Sequence, residues 1–167
     1  MENTEEYYIR EFRPDDLDEV IRINKSNLPE NYPSYFFKLH HERYPKAFLV
    51  AMIKDKIVGY VMCRVEEGIL YTAEKSGRQG HIVSLAVDKP FRRRGIGKAL
   101  MKKAMKALYN DYKVDEYYLE VRVSNGSAIS LYEKLGYKKV KVIKGYYLDG
   151  EDAYLMARPA PYSDEQI

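Results

Sequence analysis

Three consecutive stretches of this chain change periodicity in a way that few folds accommodate. Gly80 to Val87 ("GHIVSLAV") is an apolar, β-branched run of strand length. It is followed by Phe91-Arg92-Arg93-Arg94-Gly95-Ile96-Gly97-Lys98, and then by Ile96, Ala99, Leu100, Ala104, Ala107 and Leu108 at helical spacing. Lys98, Lys102, Lys103 and Lys106 fill the other faces of that helix. A buried strand that passes through a glycine turn into an amphipathic helix is a unit of α/β architecture.

The flanking sequence extends the pattern. Tyr8 to Phe12 reads as a first strand, and Pro14-Asp15-Asp16 suits the first turn of a helix, with Leu17, Val20 and Ile21 as its buried face. The loop Leu28-Pro29-Glu30-Asn31-Tyr32-Pro33 is stiffened by two prolines and precedes a short helix from Ser34 to Glu42. Ala47–Ile53 and Ile57–Val65 form a hairpin about Lys54-Asp55-Lys56, and Glu66 to Gln79 reads as polar and irregular. Glu116–Val123 is a strand; Ser124 or Asn125 caps a helix that runs through Leu135 and stops at Gly136. Strands near Tyr137–Tyr147 and Ala153–Arg158 flank the hairpin signal Asp149-Gly150. The order β-α-α-β-β-β-α-β-α-β-β describes one mixed α/β domain over residues 8–158, with flexible ends at 1–7 and 159–167.

Composition narrows the function. With 28 basic and 25 acidic residues among 167 the formal charge is only 28 − 25 = +3, which gives no electrostatic case for nucleic acid as substrate. The acidic start Met1-Glu2-Asn3-Thr4-Glu5-Glu6 is unlike a secretion signal, and no apolar run is long enough to span a bilayer. The single Cys63 excludes an internal disulfide framework. The expectation is a cytoplasmic protein without membrane partners.

The arginine–glycine stretch stands where backbone N–H groups at a helix start lack partners, so an anion is favoured there. It is not a P-loop: the residue five before Gly97 is Arg92, and Ala99 follows Lys98. It is not the dinucleotide motif either, because Leu100 stands at the third glycine position. The pattern that fits is Arg-x-x-Gly-x-Gly, with Arg92, Gly95 and Gly97, which resembles the pyrophosphate loop of the GNAT superfamily of acetyl-coenzyme A-dependent acyltransferases.

Further segments carry the resemblance over roughly Tyr8 to Arg158. "LPENYP" (28–33), "GHIVSLAV" (80–87), "LEVRVSN" (119–125) and "KGYYLDGEDAY" (144–154) look like the catalytic subunit of NatA-type protein N-terminal acetyltransferases, in an archaeal-like stand-alone form. The resemblance implies a single-domain GNAT fold: a mixed central sheet with two splayed parallel strands, Ile82–Val87 and Tyr117–Val121, flanked by helices. It implies acetyl-CoA as acetyl donor, its pantetheine arm paired with the backbone of Leu85, Ala86 and Val87. The pyrophosphate would lie on Arg92, Arg93, Arg94, Gly95, Ile96 and Gly97, with Lys98 and Asn125 also at the coenzyme. Glu30 and His81 are the base candidates, alone, together or through a water, and Tyr132 the candidate acid toward the coenzyme sulfur. Glu30, Tyr32, Tyr146 and Tyr147 would wall the peptide entry.

The chemistry suits an α-amine, whose pKa of about 8 demands a milder base than the roughly 10.4 of lysine. Other readings stay open: an acetyltransferase for lysine or small amines, or a CoA-binding regulatory subunit without turnover. A covalent route through Cys63 is disfavoured by its apolar strand setting. Adjacent His40 and His41, facing different ways on a helix, give no metal site. The expected partners are protein or nascent-peptide N-termini, with an auxiliary or ribosomal partner left open. The short tail suggests an enzyme that works alone.

Overall fold

A computed structural model describes residues 6–163. Of the expected flexible ends, residues 1–5 and 164–167 lie outside the described residues, whereas Tyr7 already belongs to the first strand and Pro159 to the last. The elements follow in the order read from the sequence: β1 (Tyr7–Glu11), α1 (Leu17–Asn27), α2 (Ser34–Arg43), β2 (Phe48–Ile53), β3 (Lys56–Ile69), β4 (Ser76–Val87), α3 (Ile96–Asn110), β5 (Glu116–Arg122), α4 (Gly126–Lys134), β6 (Lys138–Ile143) and β7 (Ala153–Pro159). The strands form a seven-stranded sheet in the order β1-β2-β3-β4-β5-β7-β6. Among the described residues, no helix is long and apolar enough to cross a membrane.

The chain packs as two compact units. The first comprises the residues up to Arg64 together with Ser84–Ala104. In it β1 runs antiparallel to β2, from Tyr7↔Ile53 to Glu11↔Leu49, and β2 antiparallel to β3, with a bulge at Ala51/Met52. Every residue of β2 is buried, as are Ile57 to Cys63 of β3. Strands covered on both faces require such continuous apolar runs. Pro14–Asp16 forms a 3-10 turn before α1, whose buried stripe is Val20, Ile23 and Asn24, while Leu17 and Ile21 are only half-buried. The expected helix face is thus rotated, and an amide has taken an apolar position.

The second unit comprises Val65–Val83 and the chain from Met105 onward. Here β4 pairs with β5 in parallel at Gln79↔Glu116, Gly80↔Tyr117 and His81↔Tyr118. β5 runs antiparallel to β7, and β7 to β6. Tyr118, Leu155 and Ala157 form a buried cluster against which Tyr71 and Ile143 pack. Lys138, Lys139 and Lys141 of β6, the last strand in the sheet order, are exposed. Charges on such an end strand oppose edge-to-edge association.

Two expectations are corrected. The stretch Glu66–Gln79 is mostly strand, since β3 extends to Ile69 and β4 begins at Ser76. Its charged residues conceal the pattern because they pair with one another: Arg78 Nε lies 2.9 Å from Glu67 Oε1. The turn between the strands is held by the fully buried Glu116, whose carboxylate accepts from the amides of Tyr71 and Thr72, from Thr72 Oγ1 and from Gln79 Nε2. The segment Tyr137–Tyr147 is strand only over Lys138–Ile143, and Asp149-Gly150 sits inside a longer loop, not a tight hairpin. That loop's carboxylates hold it: Asp152 accepts from the Gly145 amide within the loop at 2.8 Å, and Glu151 from the Ser124 amide before α4 at 3.0 Å.

A glycine inside a buried strand needs a reason. A Cβ at Gly59 on β3 would come within 2.9 Å of the Ala86 carbonyl oxygen and 3.2 Å of Val87 Cγ2. Substitution Gly59→Ala should therefore destabilise the protein by about 1–3 kcal/mol, as overpacking against main chain does. Urea unfolding checks this; an unchanged midpoint would show that the strands tolerate the separation.

Candidate active site

In the first unit, β4 delivers Leu85, Ala86 and Val87 to a 3-10 turn, Lys89–Phe91, and the chain then enters α3 through Arg92–Gly95. Arg93 (φ 65°) and Gly95 (φ 81°) are left-handed, so the backbone reverses twice before the helix. Ala99 N–H bonds back to Gly95 O at 3.0 Å and closes the first turn. The amides of that turn precede any intrahelical acceptor, so a pyrophosphate is the kind of ligand they suit.

The side chains of this segment divide differently from the sequence expectation. Arg92 braces the protein itself: Nε donates to Val87 O at 2.9 Å and Nη2 to Asn27 Oδ1 at 2.8 Å. Ile96 is 1% exposed and serves the core, so only its main chain faces outward. The Arg94 guanidinium lies over the Phe91 ring at 5.4 Å. Arg93, Arg94 and Lys98 are exposed.

The same unit holds Glu30 and Tyr32, both half-buried in the loop between α1 and α2. Tyr32 stacks on Phe36 with ring centroids 4.6 Å apart, so its ring is fixed by the first turn of α2. Cys63 is fully enclosed in β3, and burial pushes its thiol well above the ordinary range, which removes the thiolate a covalent route needs.

In the second unit His81 is buried and stacked flat on Tyr118, with centroids 4.2 Å apart and an interplanar angle of 11°. Both ring nitrogens meet carboxylates: Nε2 lies 2.7 Å from Glu120 Oε1 and Nδ1 lies 3.1 Å from Glu66 Oε2. The Tyr118 hydroxyl donates to the other oxygen of Glu66. Carboxylates accept and do not donate, so a ring engaged on both sides is an imidazolium. Burial is the largest influence on His81 and works against its charge. The hydrogen bonds to Glu120 and Glu66 outweigh it, and the net shift is upward. Burial and the same glutamate push the Tyr118 phenol well above its usual range, so it stays protonated. A neutral imidazole ready to accept a proton, which the sequence suggested, is not the state this environment favours.

Glu66, Tyr118 and Glu120 are the functional candidates the sequence reading missed. The available signal was period two: Tyr118 and Glu120 share one face of "EYYLEVRV", and a glutamate on an apolar strand face needs a partner.

Elsewhere in this unit, Asn125 caps α4, accepting from the Ala128 amide at 3.2 Å. Tyr132 lies buried in α4, tilted against Tyr137 at 5.9 Å, and burial pushes its phenol up to about 12. Tyr147 meets Tyr146 edge-on at 4.9 Å and carries the Arg122 guanidinium over its face at 4.1 Å. Arg122 also binds Asp149 at 2.9 Å and Glu151 at 2.8 Å, which fixes the loop bearing both tyrosines.

The chain is similar to proteins of known family. The profile of the Acetyltransferase (GNAT) family matches residues 17–137. An N-alpha-acetyltransferase of Saccharolobus solfataricus is 53% identical over 92% of this chain and 93% of its own length. The crystal structure of Ard1 from Thermoplasma volcanium superposes with a TM-score of 0.80 at 32% identity, covering 93% of this chain and 98% of that one. Chaetomium thermophilum Naa20, in complex with a bisubstrate analogue, gives a TM-score of 0.80 at 30% identity, over 91% of this chain and 86% of its own. With the family profile spanning most of the sequence and a half-identical relative aligned nearly end to end, the chain belongs to the acetyltransferase (GNAT) family, among the N-alpha-acetyltransferases.

Proposed function

We infer that this chain transfers the acetyl group of acetyl-CoA directly to the α-amine of protein N-termini within a ternary complex. The observation that carries the reading is the clamped histidine. Glu66 and Glu120 bring two carboxylates against one histidine, and the surplus negative charge attracts an incoming ammonium. The relative from Saccharolobus solfataricus, named for N-alpha acetylation, supports the same assignment.

The groups divide the reaction as follows. The coenzyme pyrophosphate rests on the backbone from Arg92 to Gly97 with Lys98 nearby, and the pantetheine arm runs along Leu85–Val87; Asn125 is a further coenzyme contact. Glu30 accepts the first proton of the peptide ammonium, and the surplus negative charge at His81 attracts cationic chain ends. The neutral nitrogen attacks the thioester carbonyl carbon, and the C–S bond breaks as the tetrahedral intermediate collapses. The remaining ammonium proton of that intermediate is available to the leaving sulfur. A phenol raised to about 12 is a weak proton source for a thiolate whose conjugate acid lies near about 8.5. Tyr132 therefore acts as a hydrogen-bond donor to the sulfur while keeping its proton. Tyr32, Tyr146 and Tyr147 bound the peptide entry. In this reading the enzyme is a cytoplasmic, NatA-type catalytic chain acting on nascent or released N-termini without an obligatory auxiliary subunit.

The direct test is competition between a free α-amine peptide and an N-blocked peptide bearing one lysine. The α-amine peptide should be acetylated with kcat/KM at least about 100-fold higher, given an amine pKa gap of over two units. Preference for the lysine peptide would overturn the reading.

Replacing Glu120 by Gln removes one of the two carboxylates at His81. The His81 ring should then titrate lower, toward or below the ordinary histidine value, as followed by its ring-proton NMR shift. Peptide kcat/KM should fall by about 10–100-fold at neutral pH. An unmoved titration would exclude the clamp. At the coenzyme loop, Gly95→Val forces a branched residue into a left-handed conformation and should weaken acetyl-CoA binding by at least about tenfold. Arg93→Gln, which alters only an exposed side chain, should cost no more than about threefold in the same calorimetric titration. Equal losses would return the binding to side-chain charge.

A further inference from the structure

Helix α1 contributes two asparagines whose hydrogen bonds are directed at the loops assigned above to the two substrates. Asn24 is 0% exposed, at a position where the helical stripe calls for an apolar residue. Its Nδ2 donates to the Glu30 carbonyl at 3.0 Å and to Tyr60 Oη at 3.1 Å, and its Oδ1 accepts from the Tyr32 amide at 3.4 Å. Tyr60 in turn lies 2.7 Å from Ser84 Oγ on β4. A leucine of similar size would satisfy the core with no polar group to place. The amide instead grips the main chain on both sides of Asn31, fixing the backbone from which Glu30 and Tyr32 project.

Asn27, in the last turn of α1, faces the other substrate loop. Its Nδ2 donates to Ile23 O and to Asp88 Oδ1, both at 2.8 Å, and its Oδ1 accepts from Arg92 Nη2 at 2.8 Å. Asp88 is buried, accepts from Arg22 Nη2 at 2.9 Å, and anchors its own amide on Val58 O at 2.8 Å. Arg92 reaches Val87 O with Nε. The entry to the glycine loop is thereby tied to the end of α1 by side chains that the core does not require.

We propose that Asn24 and Asn27 are positioning residues, Asn24 setting the acceptor-side loop that carries Glu30 and Tyr32, and Asn27 setting the coenzyme loop through Asp88 and Arg92. One helix thus aligns the two substrate loops, Asn24 through main-chain contacts and Asn27 through the side chains of Asp88 and Arg92. The proposal rests on the assignment of these loops to peptide and coenzyme. A small displacement of a positioned group is enough to cost about a hundredfold in rate.

The test uses the full chain, acetyl-CoA and a free α-amine peptide, with thermal unfolding measured for each variant. Asn24→Leu, or Asn24→Ser where the larger side chain does not fold, should lower peptide kcat/KM by about 10–100-fold while acetyl-CoA affinity stays within about twofold. Asn27→Ala should weaken acetyl-CoA binding by about five- to tenfold, with peptide KM at saturating coenzyme within about twofold. That crossed pattern is one a merely structural role does not produce. Losses in both parameters for both variants, in proportion to lost stability, would overturn the proposal, as would no loss in either. Glu30→Gln separates the proposal from its premise. If Glu30→Gln impairs peptide turnover and Asn24→Leu does not, the positioning role fails and the loop assignment stands. If Glu30→Gln leaves peptide turnover intact, the loop assignment fails and the proposal with it.

Discussion

A buried histidine held between two carboxylates is the constraint around which the second unit of this chain is organised. Removing a charge from water costs several kcal/mol, and only well-placed counter-charges offset it. Here the counter-charges come from Glu66 near the end of β3 and Glu120 on β5, while Tyr118 covers the ring face. The cluster therefore dictates strand register: His81 is opposite Tyr118 in the parallel pair, and a slip of one residue would turn Glu120 away. It also explains why β3 continues through a charged stretch, since Glu66 must arrive at Nδ1 from that side. Breaking such a cluster by deleting one partner leaves an uncompensated charge, a far larger penalty than any surface ion pair contributes.

The glycine loop follows a different logic. Its three arginines suggest a charge patch, yet Arg92 is engaged with Val87 and Asn27, and Arg94 lies over Phe91. In the proposed reading the main chain binds the ligand, through the left-handed turns at Arg93 and Gly95 and the first amides of α3. Backbone donors have fixed directions and cannot be neutralised by a proton, which suits them to a diphosphate that every turnover must bind and release. In the proposed reading, side-chain charge supplies the field at His81 and backbone supplies the shape at the glycine loop.

Much of this could be read from residue order alone. Periodicity gave all eleven strands and helices in sequence, because continuous apolar runs such as "FLVAMI" and the helical stripe after Gly95 are signals of burial. The reading failed where polar residues carry the structure. Glu66, Glu67 and Arg78 look like loop composition, but their charges are paired within strands. Asn24 breaks the apolar stripe of α1, so the face read as Leu17, Val20 and Ile21 holds at Val20 and is rotated at the other two. The loop between β6 and β7 was compressed into a hairpin because Asp149-Gly150 is a turn signal, and the carboxylates that fold the loop onto Arg122 act over distances that local pattern does not reveal. Each miss is a partner distant in sequence.

The two loops that bear the peptide-side tyrosines are held by bonds of different character, and this difference has a functional consequence. The 28–33 loop is pinned by the buried amide of Asn24, out of reach of salt and with little freedom to rearrange. The loop of Tyr146 and Tyr147 is pinned by Arg122 through Asp149 and Glu151, where solvent screens the attraction and the side chains pay entropy to hold it. In the proposed reading, Glu30, which meets the α-amine common to every substrate, stands on the rigid loop, and Tyr146 and Tyr147, which meet variable residues, stand on the loop whose restraints yield more readily. An enzyme for chain ends of many sequences needs both properties: one loop is tied by a buried asparagine, the other by an arginine whose carboxylate partner Asp149 is largely exposed.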